Sequence, residues 1–223
     1  MAVIAIDGPA GSGKSTTAKL VAKELGFIYV DTGAMYRAVA LESINRKANL
    51  SDASEIAEIA TQLKIHFKEK EDGQHIFLDD KDVSEEIRRN EVSEAASIIA
   101  TYTGVRKHLV KIQQDIGRHN NVVMEGRDIG TVVFPEAEVK IFMIATYPTR
   151  AERRQSDLVK KGEEIKIPAL VNQLKERDLR DSSREDSPLM KTEESIVIDT
   201  TLLTIEEQVS KVVNIAREKL NLK

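Results

Sequence analysis

Residues Gly8 to Ser15 read GPAGSGKS, which satisfies the spacing G-x-x-x-x-G-K-[ST]. The run before it, Val3 to Ile6, has the pattern of a short buried strand, and Ser15 to Leu25 after it has a helical pattern that Gly26 is placed to end. Gly8, Gly11 and Gly13 let the backbone bend until successive N–H groups point inward, and with the helix N-terminus they form a cradle for a triphosphate. Pro9, Ala10, Ser12 and Thr16 complete this nucleotide-binding segment. Lys14 is spaced to reach the β and γ phosphates, and the Ser15 hydroxyl to meet Mg²⁺. A tight strand-to-helix turn by itself requires the glycines but neither Lys14 nor Ser15.

The rest of the chain supplies the sheet that such a loop needs. Phe27 to Val30, Val122 to Met124 and Val139 to Ala145 are short, apolar and without strict alternation, so with Val3 to Ile6 they read as strands buried on both faces. Ile196 to Ile198 adds a fifth. Helical patterns lie between them, which predicts parallel crossovers and an α/β fold with a doubly wound sheet. Thr204 and Glu207 form a capping-box pattern ahead of Ile205, Val209, Val212, Val213, Ala216 and Leu220, which share one helical face. In the middle the alternation changes. Ile65 and Phe67, then Ile76 and Leu78, alternate with polar residues around Asp72-Gly73, a hairpin signal, and a helical stretch follows from about Asn90 to Asp115. With no repeat, low-complexity segment or linker, the expectation is one domain over residues 1–223 with an inserted antiparallel subdomain.

Composition removes several functional classes. The chain of 223 residues sets 33 Lys and Arg against 37 Asp and Glu, a formal charge of −4, so no basic excess favours nucleic acid or a membrane surface. Aromatic residues are only 4% and Trp is absent, which argues against a stacking platform for single strands. The absence of cysteine excludes thiol catalysis and thiolate metal sites and is compatible with a reducing cytoplasm. His66, His75, His108 and His119 have no ligand spacing, so a zinc site is not expected. The opening MAVIAIDG is too short for a signal h-region or a membrane span. The expectation is a cytoplasmic protein without nucleic-acid or membrane partners, and a monomer, since no exposed apolar heptad is legible.

A phosphate loop identifies a donor and leaves the reaction open. Neither D-x-x-G nor N-K-x-D occurs in the chain, which removes the GTPase switches, and the size favours a compact small-molecule kinase over a motor. Transfer between two anions needs cations that hold the acceptor in line. Asp31-Thr32-Gly33-Ala34-Met35-Tyr36-Arg37 follows the second strand, with Asp31 or Thr32 able to cap a helix carrying Arg37, and Glu125-Gly126-Arg127-Asp128 follows the third. In a parallel sheet both lie at the same edge as the phosphate loop. Leu170, Leu174, Arg177, Asp181 and Arg184 share one helical face, with Pro188 marking its end. Arg150, Arg153, Arg154 and Asp157 share another, followed by Lys160, Lys161 and Gly162. This arm suits a lid over the triphosphate and equally a solvated charged helix.

Taken together, the motifs resemble the bacterial cytidylate kinases, nucleoside-monophosphate kinases that move the ATP γ-phosphate onto CMP or dCMP. The likeness runs almost end to end, through GPAGSGKST, DTGAMYR, EVSEAAS, Val105-Arg106, GRDIGTVVFP, AERR and ERDLRDSSR. It implies a P-loop kinase fold of the nucleoside-monophosphate kinase type, with core 1–32, 116–149 and 166–223, a monophosphate-binding region with its insert at 33–115, and a helical lid at 150–165. It implies ATP and Mg²⁺ as donor and cofactor, with Ser15 as the metal contact and Lys14, Arg127 and Arg184 as catalytic residues. By the same resemblance the cytosine is read by Ser97, Arg106 and Asp128. The acceptor phosphate meets Arg37, Arg127 and Arg184, the sugar meets Arg177 and Asp181, and Thr32 and Tyr36 join the substrate-binding set. Glu125 stands where many relatives have Asp.

Overall fold

The computed structural model describes residues 1–71, 73–160, 162 and 165–222. In chain order the first elements are β1 (Val3–Asp7), α1 (Lys14–Leu25), β2 (Ile28–Asp31), α2 (Thr32–Asn45) and α3 (Ala53–Gln62). They are followed by β3 (Ile65–Lys70), β4 (Gly73–Leu78), β5 (Lys81–Asp82), α4 (Asn90–Ile99), α5 (Thr103–His119) and β6 (Val122–Gly126). The last are β7 (Val139–Ile144), α6 (Tyr147–Val159), α7 (Ile167–Ser182), β8 (Ile196–Asp199) and α8 (Ile205–Leu220). The chain forms two compact units, one of Met1–Val30 with Gly117–Lys223 and one of Asp31–Ile116.

The first unit holds the five-stranded sheet, in the order β2-β6-β1-β7-β8. β1 pairs in parallel with β6 and with β7, and β7 with β8. The register sets Asp7 opposite Gly126 on one side and Phe142 on the other, so the end of β6 is level with the foot of the phosphate loop. In parallel sheets this carboxyl edge is where ligands bind. Ile4, Ile6, Val123, Val139, Ile141 and Met143 pack with Ala18 and Val21 of α1 and with Val209, Val212, Val213 and Ala216 of α8. Each fully buried Val or Ile contributes about 1.5–3 kcal/mol of transfer free energy, which anchors both helices on the strands beside the loop. The capping box is present as expected, Thr204 Oγ1 accepting from Glu207 N–H and the Glu207 carboxylate from Thr204 N–H. One expectation is corrected: β2 is an edge strand with Ile28 44% exposed, because it has a neighbour on one side only and its cover is incomplete.

In the second unit β3 and β4 pair antiparallel, Ile65 opposite Leu78 and Phe67 opposite Ile76, which is the expected hairpin. Asp72 of its expected turn lies outside the described residues. β5, two residues long, adds a third strand that the alternation did not announce. The helical stretch expected as one piece is two helices, α4 and α5. The chain tightens between them, Ala100, Thr101 and Tyr102 donating to Ala96, Ile98 and Ile99, while the Tyr102 hydroxyl donates to Leu50 O at 2.7 Å. Ala34, Met35, Ala38, Val39 and Leu41 of α2 form the centre of this unit's core, with Ile56, Ile76, Val92 and Ile99.

Candidate active site

Strand β1 delivers the loop through Gly8, whose φ of +147° is open to glycine; a Cβ there would sit 2.1 Å from Met143 O. At Gly13, the N-cap of α1 with φ +94°, a Cβ would meet the Gln208 side-chain oxygen at 2.7 Å. Side chains take the loop's carbonyls one after another. Lys14 Nζ donates to Pro9 O at 2.9 Å, Arg150 Nε to Ala10 O at 2.6 Å, Arg153 Nη1 to Gly11 O at 3.3 Å and the Thr200 hydroxyl to Ser12 O at 2.8 Å. With Ser12 N–H also donating to Pro9 O, the loop is held by its own backbone and by the side chains of Lys14, Arg150 and Thr200. Arg150 and Arg153, read in the sequence on an arm that suits a lid and equally a solvated charged helix, both bond to carbonyls of the loop. Lys161 of that arm lies outside the described residues.

Ser15 and Thr16 stand in the first turn of α1 and are exposed. Among the described residues no group of three or more His, Asp or Glu is arranged to hold a metal, and the exposed Ser15 hydroxyl is an oxygen ligand of the kind Mg²⁺ takes alongside phosphate oxygens.

The turn after β6 forms the facing wall. Glu125 is buried and accepts from the Tyr29 hydroxyl at 2.7 Å. One turn of π-helix, Ile129–Val133, begins straight after Asp128, which is itself buried. Arg127 Nε donates to Asp181 Oδ2 at 2.8 Å, and Arg184 Nη2 lies 3.3 Å from Asp181 Oδ1. Leu170, Leu174 and Asp181 are buried on α7 as the shared face predicts, but α7 ends at Ser182, so Arg184 extends from the turn beyond it. The helix ends because the chain folds back, Leu189 N–H donating to Asp181 O.

The electrostatics follow from burial and from this crowding of cations. Burial pushes the Lys14 ammonium down to about 7, helped by Arg127 and Arg177, with Glu125 and Asp7 pulling the other way. Burial works against the Arg127 guanidinium, but Asp181, with Glu125 and Asp178, holds Arg127 above its ordinary value. Burial raises the Asp181 carboxyl, and Arg127, Arg177 and Arg184 together bring it below the usual carboxylate range. Asp181 thus acts on three guanidinium groups at once, with Glu125 and Asp178 as further carboxylates acting on Arg127.

Asp7 was not anticipated. It is buried at the end of β1, its carboxylate accepting from Ile129 N–H at 2.9 Å and Gly130 N–H at 2.8 Å. Burial pushes it up to about 7, against those two hydrogen bonds. The available signal was a carboxylate ending a strand otherwise buried on both faces, which needs a partner.

The second unit carries the remaining candidates. Asp31 caps α2, Oδ1 accepting from Ala34 N–H at 2.9 Å, and its Oδ2 receives Arg37 Nη2 at 2.8 Å, so one carboxylate orders both the helix and its arginine. Thr32 and Ser97 are buried on α2 and α4. Arg106 on α5 is 2% exposed; its Nη1 donates to Ala100 O at 3.1 Å and its guanidinium lies 5.9 Å from the centre of the Tyr36 ring. Those contacts account for the break between α4 and α5, since the freed Ala100 carbonyl is taken by Arg106.

Comparison with known proteins finds relatives along nearly the whole chain. The family model described as cytidylate kinase matches residues 4–218. A cytidylate kinase of Bacillus velezensis is 46% identical over 216 residues, covering 97% of this chain and 96% of its own. One from Caldicellulosiruptor saccharolyticus is 48% identical over 212 residues, covering 95% and 94%. Among solved structures, a gluconokinase from Sinorhizobium meliloti superimposes with a TM-score of 0.50 at 14% identity, covering 99% of this chain and 95% of its own, a likeness of fold.

Proposed function

The chain belongs to the cytidylate kinase family, and from that premise we propose how its residues carry the transfer of the ATP γ-phosphate to CMP or dCMP. The observation that carries the assignment of roles is the shared carboxylate of Asp181, with Arg127 and Arg184 against it and Lys14 in the adjoining loop.

The loop from Gly8 to Thr16 binds the donor phosphates through its backbone N–H groups. Lys14 exchanges its bond to Pro9 O for the β and γ oxygens, and the Ser15 hydroxyl would hold Mg²⁺. When bound, Mg²⁺ neutralises charge on the phosphates that are being separated. The acceptor phosphate is gripped by Arg37, Arg127 and Arg184, which place an acceptor oxygen in line with the γ-phosphorus. The new bond forms to that oxygen as the bond to the β,γ-bridging oxygen breaks, and ADP leaves with the electron pair. A loose transition state of this kind needs positioning and screening and no protein nucleophile. Arg177 and Asp181 take the sugar hydroxyls. Ser97, Arg106 and Asp128 read the base, because cytosine offers N4 donors to a carboxylate and acceptors at N3 and O2 to Arg or a hydroxyl, whereas uracil reverses this at positions 3 and 4. Thr32 and Tyr36 complete the acceptor site. We place the enzyme in the cytoplasm as a monomer; among the described residues no helix is long and apolar enough to cross a membrane.

The test is ATP consumption at saturating Mg²⁺ with CMP, dCMP, UMP, AMP, GMP and shikimate as separate acceptors and ATP alone as blank. Activity confined to CMP and dCMP is expected. Preference for another acceptor would overturn the base-reading assignments.

A further inference from the structure

Of the residues that brace the phosphate loop, Arg150 has a second attachment. Its guanidinium is buried, with the side chain 3% exposed, and spans two elements at once: Nε donates to Ala10 O at 2.6 Å, and Nη1 and Nη2 donate to the two oxygens of Asp178 at 2.6 and 2.8 Å. The contact with the loop is close, since a Cβ on Gly11 would lie 3.2 Å from both Cβ and O of Arg150. The Tyr147 ring, centred 5.1 Å from the guanidinium, lies against it. Asp178 sits on α7 directly after Arg177 and one turn before Asp181.

A bidentate Arg–carboxylate pair fixes orientation as well as distance, and a buried one is costly to break on one side only. Any shift of the loop's Ala10 peptide therefore pulls on a guanidinium that is rigidly keyed to α7. We propose that Arg150 is a positioning residue that links the donor cradle to the acceptor-side helix through Asp178, so that filling one site prepares the other. This rests on the donor and acceptor roles given above to the loop and to Arg177 and Asp181. It assigns to Arg150 no contact with either nucleotide.

The test measures CMP affinity by calorimetry in the absence and presence of a saturating non-hydrolysable ATP analogue with Mg²⁺. In the parent the analogue tightens CMP about five-fold or more, within the ordinary range of coupling between sites. In Arg150→Met and in Asp178→Asn that ratio falls toward one. Asp178→Asn keeps the Arg150 bond to Ala10 and nearly the same shape, so it carries the test if Arg150→Met does not fold. A loss of stability alone would lower the amount of folded protein and leave the ratio as it was. Coupling in folded Asp178→Asn equal to the parent's, or no coupling in the parent, would overturn the proposal. Failure of the parent to bind or phosphorylate CMP would instead contradict the functional reading itself.

Discussion

Arg127 Nε donates to Asp181 Oδ2 at 2.8 Å, joining the turn after β6 to helix α7 through a carboxylate that Arg184 also approaches. Removing the shared anion leaves Arg127, Arg177 and Arg184 without the carboxylate that acts on all three. Asp181→Asn is therefore expected to lose about 3–5 kcal/mol of stability, the usual cost of stripping one partner from a buried pair. Added inorganic phosphate should restore more of the melting temperature to this variant than to the parent. Equal stabilisation of both by phosphate would contradict the shared-anion reading. The same pairing sets an acid limit: Asp181 is held below its ordinary pKa, so its contribution is complete above pH 4 and is lost as pH falls through the folded value.

Asp128 is buried at the start of the π turn and is assigned to the N4 donors of cytosine. Asp128→Ala should reduce the preference for CMP over UMP in kcat/KM by at least about tenfold, since a site built to hydrogen-bond one base rejects the other by leaving groups unpaired. An unchanged ratio would remove Asp128 from base reading.

Asp7 gives the fold a pH dependence of the opposite sign to that of Asp181. Its folded pKa is about 7 against an ordinary 3.8, so between these values the folded chain holds a proton that the unfolded chain has released. Stability from this group falls as pH rises from about 4 to 7. Urea midpoints measured across that window for the parent and Asp7→Asn should differ in slope, the variant being flatter. Comparing the two cancels the other titrating groups, and parallel slopes would contradict the assignment.

Lys14 is pushed down to about 7 by burial and by Arg127. At pH 8 burial disfavours its ammonium form, and phosphate oxygens placed beside it favour that form. Binding of MgATP at that pH should take up a fraction of a proton. The observed heat would then rise or fall with the ionisation heat of the buffer in the direction of uptake. Proton release, or no buffer dependence, would contradict the contact between Lys14 and the phosphates.

What the sequence discloses about this protein is what its local rules control. The phosphate loop and the Thr204–Glu207 box are legible because their partners lie within a few residues, and the hairpin because alternation shows in Ile65, Phe67, Ile76 and Leu78. Arg150 is not legible in the same way: its partners Ala10 and Asp178 are 140 and 28 residues away, and on its own helix it reads as one more surface cation. Asp7 is hidden for the same reason, since Ile129 and Gly130 lie 122 and 123 residues further on. The edge position of β2 depends on strand order, which no single segment encodes. Arg184 appeared helical because its spacing continues the α7 face, although the chain folds back at Ser182 and keeps it near Asp181 by other means.

Arg127 is assigned to screen charge on the phosphoryl group in transit. The direct measurement is kcat for Arg127→Ala with CMP, MgATP and acceptor both saturating, on protein whose fold is verified by its circular dichroism spectrum. A fall on the order of a thousandfold, the size of effect that one transition-state arginine has in phosphoryl transfer, is the predicted result. Turnover within about threefold of the parent would contradict it.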